Sequence, residues 1–488
     1  MANFEHNSSN QGMFLAIQLD DQFDNFSRES VLKNFIKDKV SLDKFERYYK
    51  NEHRGRKIKN PQDIICAILY GYITGNHSNR KIEKLLREHI GFMFVSNRLK
   101  IDHSVLSKFK VEFNPIIREL LAELMMVLNE MGKVDWSVVV SDGTKIKAYA
   151  SKGKNIGKDK TEKMLKNYRK MADKIFERDQ ELENSHREGQ MDDQKYDEEK
   201  ARIARQERIY QNTLKNIEDC VSDEKMKDRL ENGQVNLTDP DSAIMPGSDK
   251  KTFIQGYNVL LTVSNNDVIL DFDAIVDGER NHSEELVDRV EQLKKDLGSE
   301  EVKSKYLMDS GFEDMEKIQN LTGKGLDVYI DVKDKDFSKD THKRKDFELL
   351  QTPEGLSLKC RNGLEAKGYL GKGDKYTFVF ARSKCKGCSF FKDCYKKIGQ
   401  KTEQKTVGYS RFEVENRPKI DAYLDKLKSE EGQKIYRKRI GKEHVNANIK
   451  GQRNFNQTLY RGKNRVRMDL TWMVFAHNMN RYTSFMAL

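Results

Sequence analysis

Three acidic residues stand where they could hold metal ions rather than dissolve into the surface. Asp142 closes the β-branched run in "VDWSVVVSDGTKIKAYA", and Asp309 closes the short apolar run in "KSKYLMDSGF". Glu443 sits in "YRKRIGKEHVNANIK", and from Lys434 to Arg467 it is the one acid among eleven Lys or Arg. Tyr436, Arg439, Glu443 and Lys450 are three, four and seven residues apart. On a helix of ~3.6 residues per turn they fall within about 60° of one another, so the spacing predicts one shared face. A salt-bridged surface is the ordinary reading of such a helix. Against it, Glu443 has an excess of cationic partners while the two strand-end aspartates lack one. Three carboxylates from separated parts of a chain suit two-metal phosphoryl transfer, in which oxygen ligands hold two magnesium (or manganese) ions ~3.5–4 Å apart. Left to themselves, such carboxylates would repel one another and resist ionisation. The surrounding cations, with Arg437, Lys438 and Arg453 among them, would bind the phosphates of a polyanion.

A second cluster is sulfur-based. "CKGCSFFKDC" groups Cys385, Cys388 and Cys394, and "LKCRNG" supplies Cys360 twenty-five residues earlier. This is the spacing of a structural zinc site with four thiolates, with reduced thiols or a redox Cys-x-x-Cys pair as alternatives. Cys66 and Cys220 read as packing or surface residues. Asp271, Asp273, Asp277 and Asp331 lie on or beside strands, and their alternation predicts solvent-facing acids. His103 reads as a helix cap, His282 as a surface residue, and Trp136 and Trp472 as core.

The elements that must position these groups alternate in character along the chain. Residues 1–132 show apolar positions three and four apart, which predicts helices, and "NRLKIDHSVLSKFK" reads as a turn followed by a short helix, as in a helix-turn-helix. Residues 133–156 begin a strand-bearing core that resumes at 236–333 with a hairpin, a helix, a strand, a helix and a strand. Between them, 157–235 is so rich in Lys, Glu, Asp, Arg and Gln that it predicts a charged helical arm. A Lys, Gly and Cys-rich insertion spans 334–425, and 426–488 returns to helix. The result is an α/β class with a mixed sheet. If the strands before Asp142 and Asp309 are parallel neighbours, both aspartates reach the carboxyl edge where such sheets bind ligands. The formal net charge is +11, and nearly all the excess lies in the basic window just described. No apolar run approaches the ~20 residues that span a bilayer, and no signal peptide is evident, so a cytoplasmic protein with no membrane partner is expected.

These residues resemble the DDE transposases of bacterial insertion sequences. "YRKRIGKEHVNANIK" fits their Y-x(2)-R-x(3)-E-x(6)-K signature at every spacing, "SDGTKIKAYASK" resembles their first-aspartate motif, and "YLMDSGF" their second, with Phe312 where tyrosine is frequent. The block from Ala67 to Phe109 is similar to the helical DNA-binding domain of one branch. The resemblance implies an RNase H-like catalytic fold with flanking helices, preceded by an all-α DNA-binding domain. It implies a magnesium-dependent reaction in which Asp142, Asp309 and Glu443 hold the metals and Tyr436, Arg439 and Lys450 grip DNA near the scissile phosphate. Double-stranded DNA (element ends and target) and a homodimer on that DNA are the implied partners. A non-catalytic DNA-binding protein and a nuclease without strand transfer are the alternatives.

Overall fold

The structure is a computed structural model that describes residues 19–46, 59–222, 229–231, 233–247, 251–332, 347–352, 355–371, 374–394 and 404–486. The first 18 residues of the expected DNA-binding region and positions 333–346 at the start of the cysteine insertion lie outside the described residues.

Among the described residues seven helices lead the chain: α1 (Arg28–Lys39), α2 (Asp43–Glu46), α3 (Pro61–Ile73), α4 (Asn79–Glu88), α5 (Ile90–Val95), α6 (His103–Glu112) and α7 (Asn114–Glu130). Helix α3 is apolar nearly all round and buried from Ile64 to Ile73, as a helix enclosed by others must be. Helix α4 instead buries one stripe, Ile82 and Leu86. The α5–α6 connection turns sharply because Asn97 and Arg98 both adopt left-handed backbone, with φ of 49° and 54°. Asp102 then caps α6, accepting from the Ser104 amide at 2.7 Å. Glu83 of α4 accepts from the His103 amide at 3.1 Å and faces its ring Nδ1 at 2.9 Å, tying the two helices together.

The central sheet is built from β1 (Val138–Lys147), β4 (Ala243–Pro246), β5 (Phe253–Ser264), β6 (Ile269–Ile275), β7 (Lys305–Met308) and β8 (Asp327–Ile330). From β6 it runs β5, β1, β7, β8; β4 shares the outer side of β5 with β6. β5 is antiparallel to β1 and β6, whereas β7 and β8 run parallel to β1. Strand β1 opens Val138-Val139-Val140, all buried, the continuous apolar pattern of a strand covered on both faces. It does not stop at Asp142, as the sequence suggests, but continues to Lys147 because β5 keeps pairing with it after β7 has ended. Helix α10 (Ser283–Asp296) joins β6 to β7 and α11 (Met315–Gly323) joins β7 to β8.

Two excursions interrupt this core. The charged arm is a hairpin of α8 (Lys158–Arg187) and α9 (Asp193–Ser222), closed at its base by β2 (Asn155–Ile156) pairing with β3 (Val235–Asn236). The cysteine insertion contains an antiparallel sheet that sequence reading did not anticipate: β9 (Phe347–Thr352), β10 (Gly355–Cys360), β11 (Glu365–Gly371), β12 (Lys375–Ala381) and β13 (Gln404–Ser410), each paired with its neighbour in chain order. It has its own small core around Leu358, Phe378 and Val407. Short helices α12 (Arg382–Cys385), α13 (Phe391–Cys394) and α14 (Arg411–Glu415) flank its last strands.

Four helices close the chain: α15 (Arg417–Lys428), α16 (Glu430–Arg437), α17 (Glu443–Lys450) and α18 (Lys463–Met486). Helix α18 packs against α3, α7 and β6, and its Asn478 side chain exchanges hydrogen bonds with the Ile269 backbone at 2.9 and 2.8 Å. One continuous apolar core therefore runs from α1 through the central sheet to α18, with Trp136 and Trp472 inside it as expected.

Candidate catalytic site

The parallel register of β1 and β7 sets Val138 against Lys305 and Ser141 against Met308. The next residues are Asp142 and Asp309, so the two aspartates leave the shared ladder side by side. Asp309 turns immediately into a tight turn, Ser310–Phe312, and its Oδ1 accepts from the Gly311 amide at 2.8 Å.

Helix α17 reaches this edge from the far end of the chain. The single helix face expected for Tyr436, Arg439, Glu443 and Lys450 is broken: α16 stops at Arg437, a 3-10 turn covers Ile440–Lys442, and α17 starts at Glu443. Two features break it. Gly441 is a poor helix former, and Lys442 is pulled onto the β5–β6 hairpin, bonding Asn265 O and Asp267 Oδ1, the latter at 2.7 Å. His444 adds a contact to Asp267 at 3.1 Å.

The break still leaves Arg439 between two of the acids. Its guanidinium lies 3.8 Å from Asp142 and 3.4 Å from Glu443. Asn446, one turn beyond Glu443, donates to Asp142 Oδ2 at 2.8 Å. Burial, and then the charge of Asp309, push the Asp142 carboxyl above its ordinary range, while Arg439 and Asn446 pull it back. Burial lowers the Lys450 ammonium, and nearby Asp142 opposes this. Tyr436 lies with its ring 5.8 Å from the Arg439 guanidinium, and burial raises its hydroxyl. Arg437 and Lys438 are exposed beside them. Arg453 is not part of this surface. It is 3% exposed and faces Tyr72 O at 3.5 Å, so its charge is spent inside the junction with α3 rather than offered to a phosphate.

Oxygen atoms suited to a hard cation are present at the edge. Asp142, Asp309 and Glu443 do not converge to within 4.8 Å as a trio; among the described residues only Glu83, Asp102 and His103 do so, and those make cap and inter-helix bonds at the start of α6. Yet among the described residues the buried Oδ1 atoms of Asn446 and Asn258, both beside the aspartates, have no hydrogen-bond partner, and neither does Arg439 Nε. Sequence reading missed Asn446, Asn258 and also Glu279, whose carboxyl is raised by burial and then by Asp309 and Asp142. Asn446 carried a faint signal, being three residues after Glu443; the other two carried none.

The competing acids have other duties. Asp271 pairs with Arg289 at 2.7 Å and Asp273 with Arg467 at 2.6 Å, so neither faces open solvent as their alternation suggests. Asp277 holds His282 at 2.8 Å. No three of the cysteine sulfurs at 360, 385, 388 and 394 lie within 4.8 Å of one another. Cys360 and Cys385 nonetheless pack against the same small core, and the Phe390 amide points at Cys388 Sγ at 3.4 Å.

A family described as "Transposase DDE domain" matches residues 358–483, and one described as "Transposase domain (DUF772)" matches residues 17–112. The first match contains Glu443; the stretch holding Asp142 and Asp309 lies between the two. No curated protein and no solved structure gives a significant match. No described helix is long and apolar enough to cross a membrane. One transposase-domain model thus matches the leading helices and a DDE-domain model matches the segment around the lone glutamate, so the chain is similar to DDE transposases at both ends.

Proposed function

We propose that this chain is a transposase that binds the ends of its element, cuts DNA there by metal-dependent hydrolysis, and joins the freed 3′-hydroxyl to target DNA. The observation that carries this reading is the adjacency of Asp142 and Asp309 on parallel strands, with Arg439 linking Asp142 to Glu443. The sheet order, with the antiparallel β5–β6 hairpin on one side of β1 and two strands parallel to β1 on the other, supports an RNase H-like core. The intact Y-x(2)-R-x(3)-E-x(6)-K spacing supports the corresponding branch of the family.

Asp142, Asp309 and Glu443 would hold magnesium, and the unpartnered Asn oxygens fit an oxygen-rich cation site. Bound there, the metals supply an activated nucleophile and charge stabilisation at the leaving oxygen. The chain's own groups do the rest. Asn446 fixes one oxygen of Asp142, and Arg439 lies 3.8 Å from the other. Arg439 keeps Glu443 beside the aspartates, and Lys450, Arg437 and Lys438 hold the phosphate backbone in register. The turn and helix α6 would dock DNA at the element's ends, and two copies on DNA would bring those ends together. The four cysteines would take a structural zinc, since thiolate-directed amides such as that of Phe390 suit such a centre.

The test is excision from a plasmid that carries the DNA flanking this gene, comparing wild type with Glu443→Gln in magnesium and sequencing the ends and junctions. Clean excision lost in the variant is expected. Equal excision by both would remove Glu443 from the site, cut ends never joined would leave a nuclease, and DNA bound but uncut by wild type would leave a binding protein.

A further inference from the structure

Both aspartate motifs carry a glycine beside the acid, Gly143 after Asp142 and Gly311 two residues after Asp309. Neither has a positive φ, so backbone freedom does not require them. Space does. A Cβ at Gly143 would overlap Oε1 of Glu279, and a Cβ at Gly311 would overlap Oε2 of the same residue. One carboxylate is thus wedged between the two motifs, an oxygen against each. The Cβ position of Gly311 is also 2.9 Å from Asp309 Oδ1, which puts Glu279 and Asp309 on the same small gap.

Glu279 begins a short 3-10 turn after β6 and is half-buried. No cation pairs with it within 4.0 Å among the described residues; its hydrogen-bond donor is Asn258 Nδ2 at 2.7 Å. Asn258 is 7% exposed, and its Oδ1 has no partner among the described residues. That oxygen lies 3.0 Å from the Cβ position of Gly143, so it borders the gap that Glu279 Oε1 enters. A buried carbonyl oxygen without a donor and a carboxylate facing two aspartates are both costly unless a cation answers them. Glu443 is placed differently: its side chain is 56% exposed and held by Arg439.

We infer that Glu279 is a fourth carboxylate ligand of the divalent-cation site of Asp142 and Asp309, with the Asn258 carbonyl oxygen beside it. The inference rests on the two-aspartate site proposed above. Carboxylate and amide oxygens are the hard donors that magnesium and manganese prefer. The two motif glycines are then parts of the site, since each makes room for the ligand the other aspartate also approaches.

The probe is Mn2+ alone, titrated calorimetrically into the full chain without DNA, at a temperature below the melting midpoint of every variant in chelator. Glu279→Gln keeps the size of the wedge, can still accept from Asn258 and relieves the repulsion from the aspartates, so its chelator midpoint should be no lower than wild type. Its affinity for Mn2+ should fall at least tenfold, and Asp142→Asn should lose binding. Wild-type affinity in Glu279→Gln, with binding lost in Asp142→Asn, would overturn this inference and leave the two-aspartate site standing. Wild-type affinity in Asp142→Asn would overturn the site itself.

Discussion

A single methyl group at Gly311 probes the wedge without altering any charge. Because its Cβ would overlap a Glu279 oxygen, Gly311→Ala should destabilise the fold by about 1–3 kcal/mol, as overpacking does elsewhere. Removing the obstacle should relieve it: in a Glu279→Ala background the same change should cost less than about half as much, a coupling that urea denaturation of the four proteins would measure. Equal costs in both backgrounds would mean that Glu279 does not fill the space. At this scale the sequence told a partial story. Asp142, Asp309 and Glu443 were legible because each interrupts a pattern, an acid closing an apolar run or standing among cations. Glu279 lies in "DGERNHSEEL", where nothing distinguishes it from its neighbours, and Asn258 hides in a strand. Their placement depends on which strands pair, which spacing does not encode. Arg453 fails the other way: charge alone suggested a DNA contact, but only the packing against α3 shows that it is buried.

Among the elements, α16 and α17 show how a tertiary tie overrides periodicity. The three, four and seven spacing predicts one continuous helix face, but Lys442 bonds the β5–β6 hairpin and the helix breaks there. The charged arm was legible from composition, whereas the five-stranded sheet of the cysteine insertion was not, because its strands are short and polar on one face. That sheet presents its own test. Purified protein should carry zinc in equimolar amount, lost on Cys385→Ser, by elemental analysis; zinc-free wild type would remove the metal from the account. Helix α18 carries a pH-dependent element. Its His477 donates from Nε2 to Asp267 O at 2.8 Å, and burial, then the charge of Arg453, pushes its pKa down to about 3. Between the ordinary value of 6.5 and that value the unfolded chain takes up a proton that the folded chain refuses. Stability from this group is therefore whole above 6.5 and falls on acidification, by about 1.4 kcal/mol per pH unit. His477→Gln should flatten the urea-unfolding free energy between pH 6.5 and 5 by about 1 kcal/mol per unit; an unchanged slope would refute the assignment.

The whole molecule is joined through a buried polar chain. Lys110 of α6 is fully buried and donates to Tyr72 OH at 3.1 Å and to His77 O at 3.3 Å, and Tyr72 donates in turn to Asp469 of α18. Burial lowers the Lys110 ammonium to about 8 and raises the Asp469 carboxyl, so each charge is tolerated because of the other. Lys110→Met should cost about 3–5 kcal/mol by stranding Asp469, while Lys110→Met with Asp469→Leu should recover most of it. Urea unfolding decides between this and a simple loss of packing, in which the double variant would be worse than either single one. The order in which the chain is synthesised follows from the same feature. The helices matched to a transposase domain emerge from the ribosome first, but their central lysine meets its counter-charge only when residue 469 has been made. Until then the leading helices lack both their last apolar cover and their electrostatic partner. A nascent or prematurely terminated chain would therefore present those helices incompletely folded until the segment bearing Glu443 and Asp469 had also been translated.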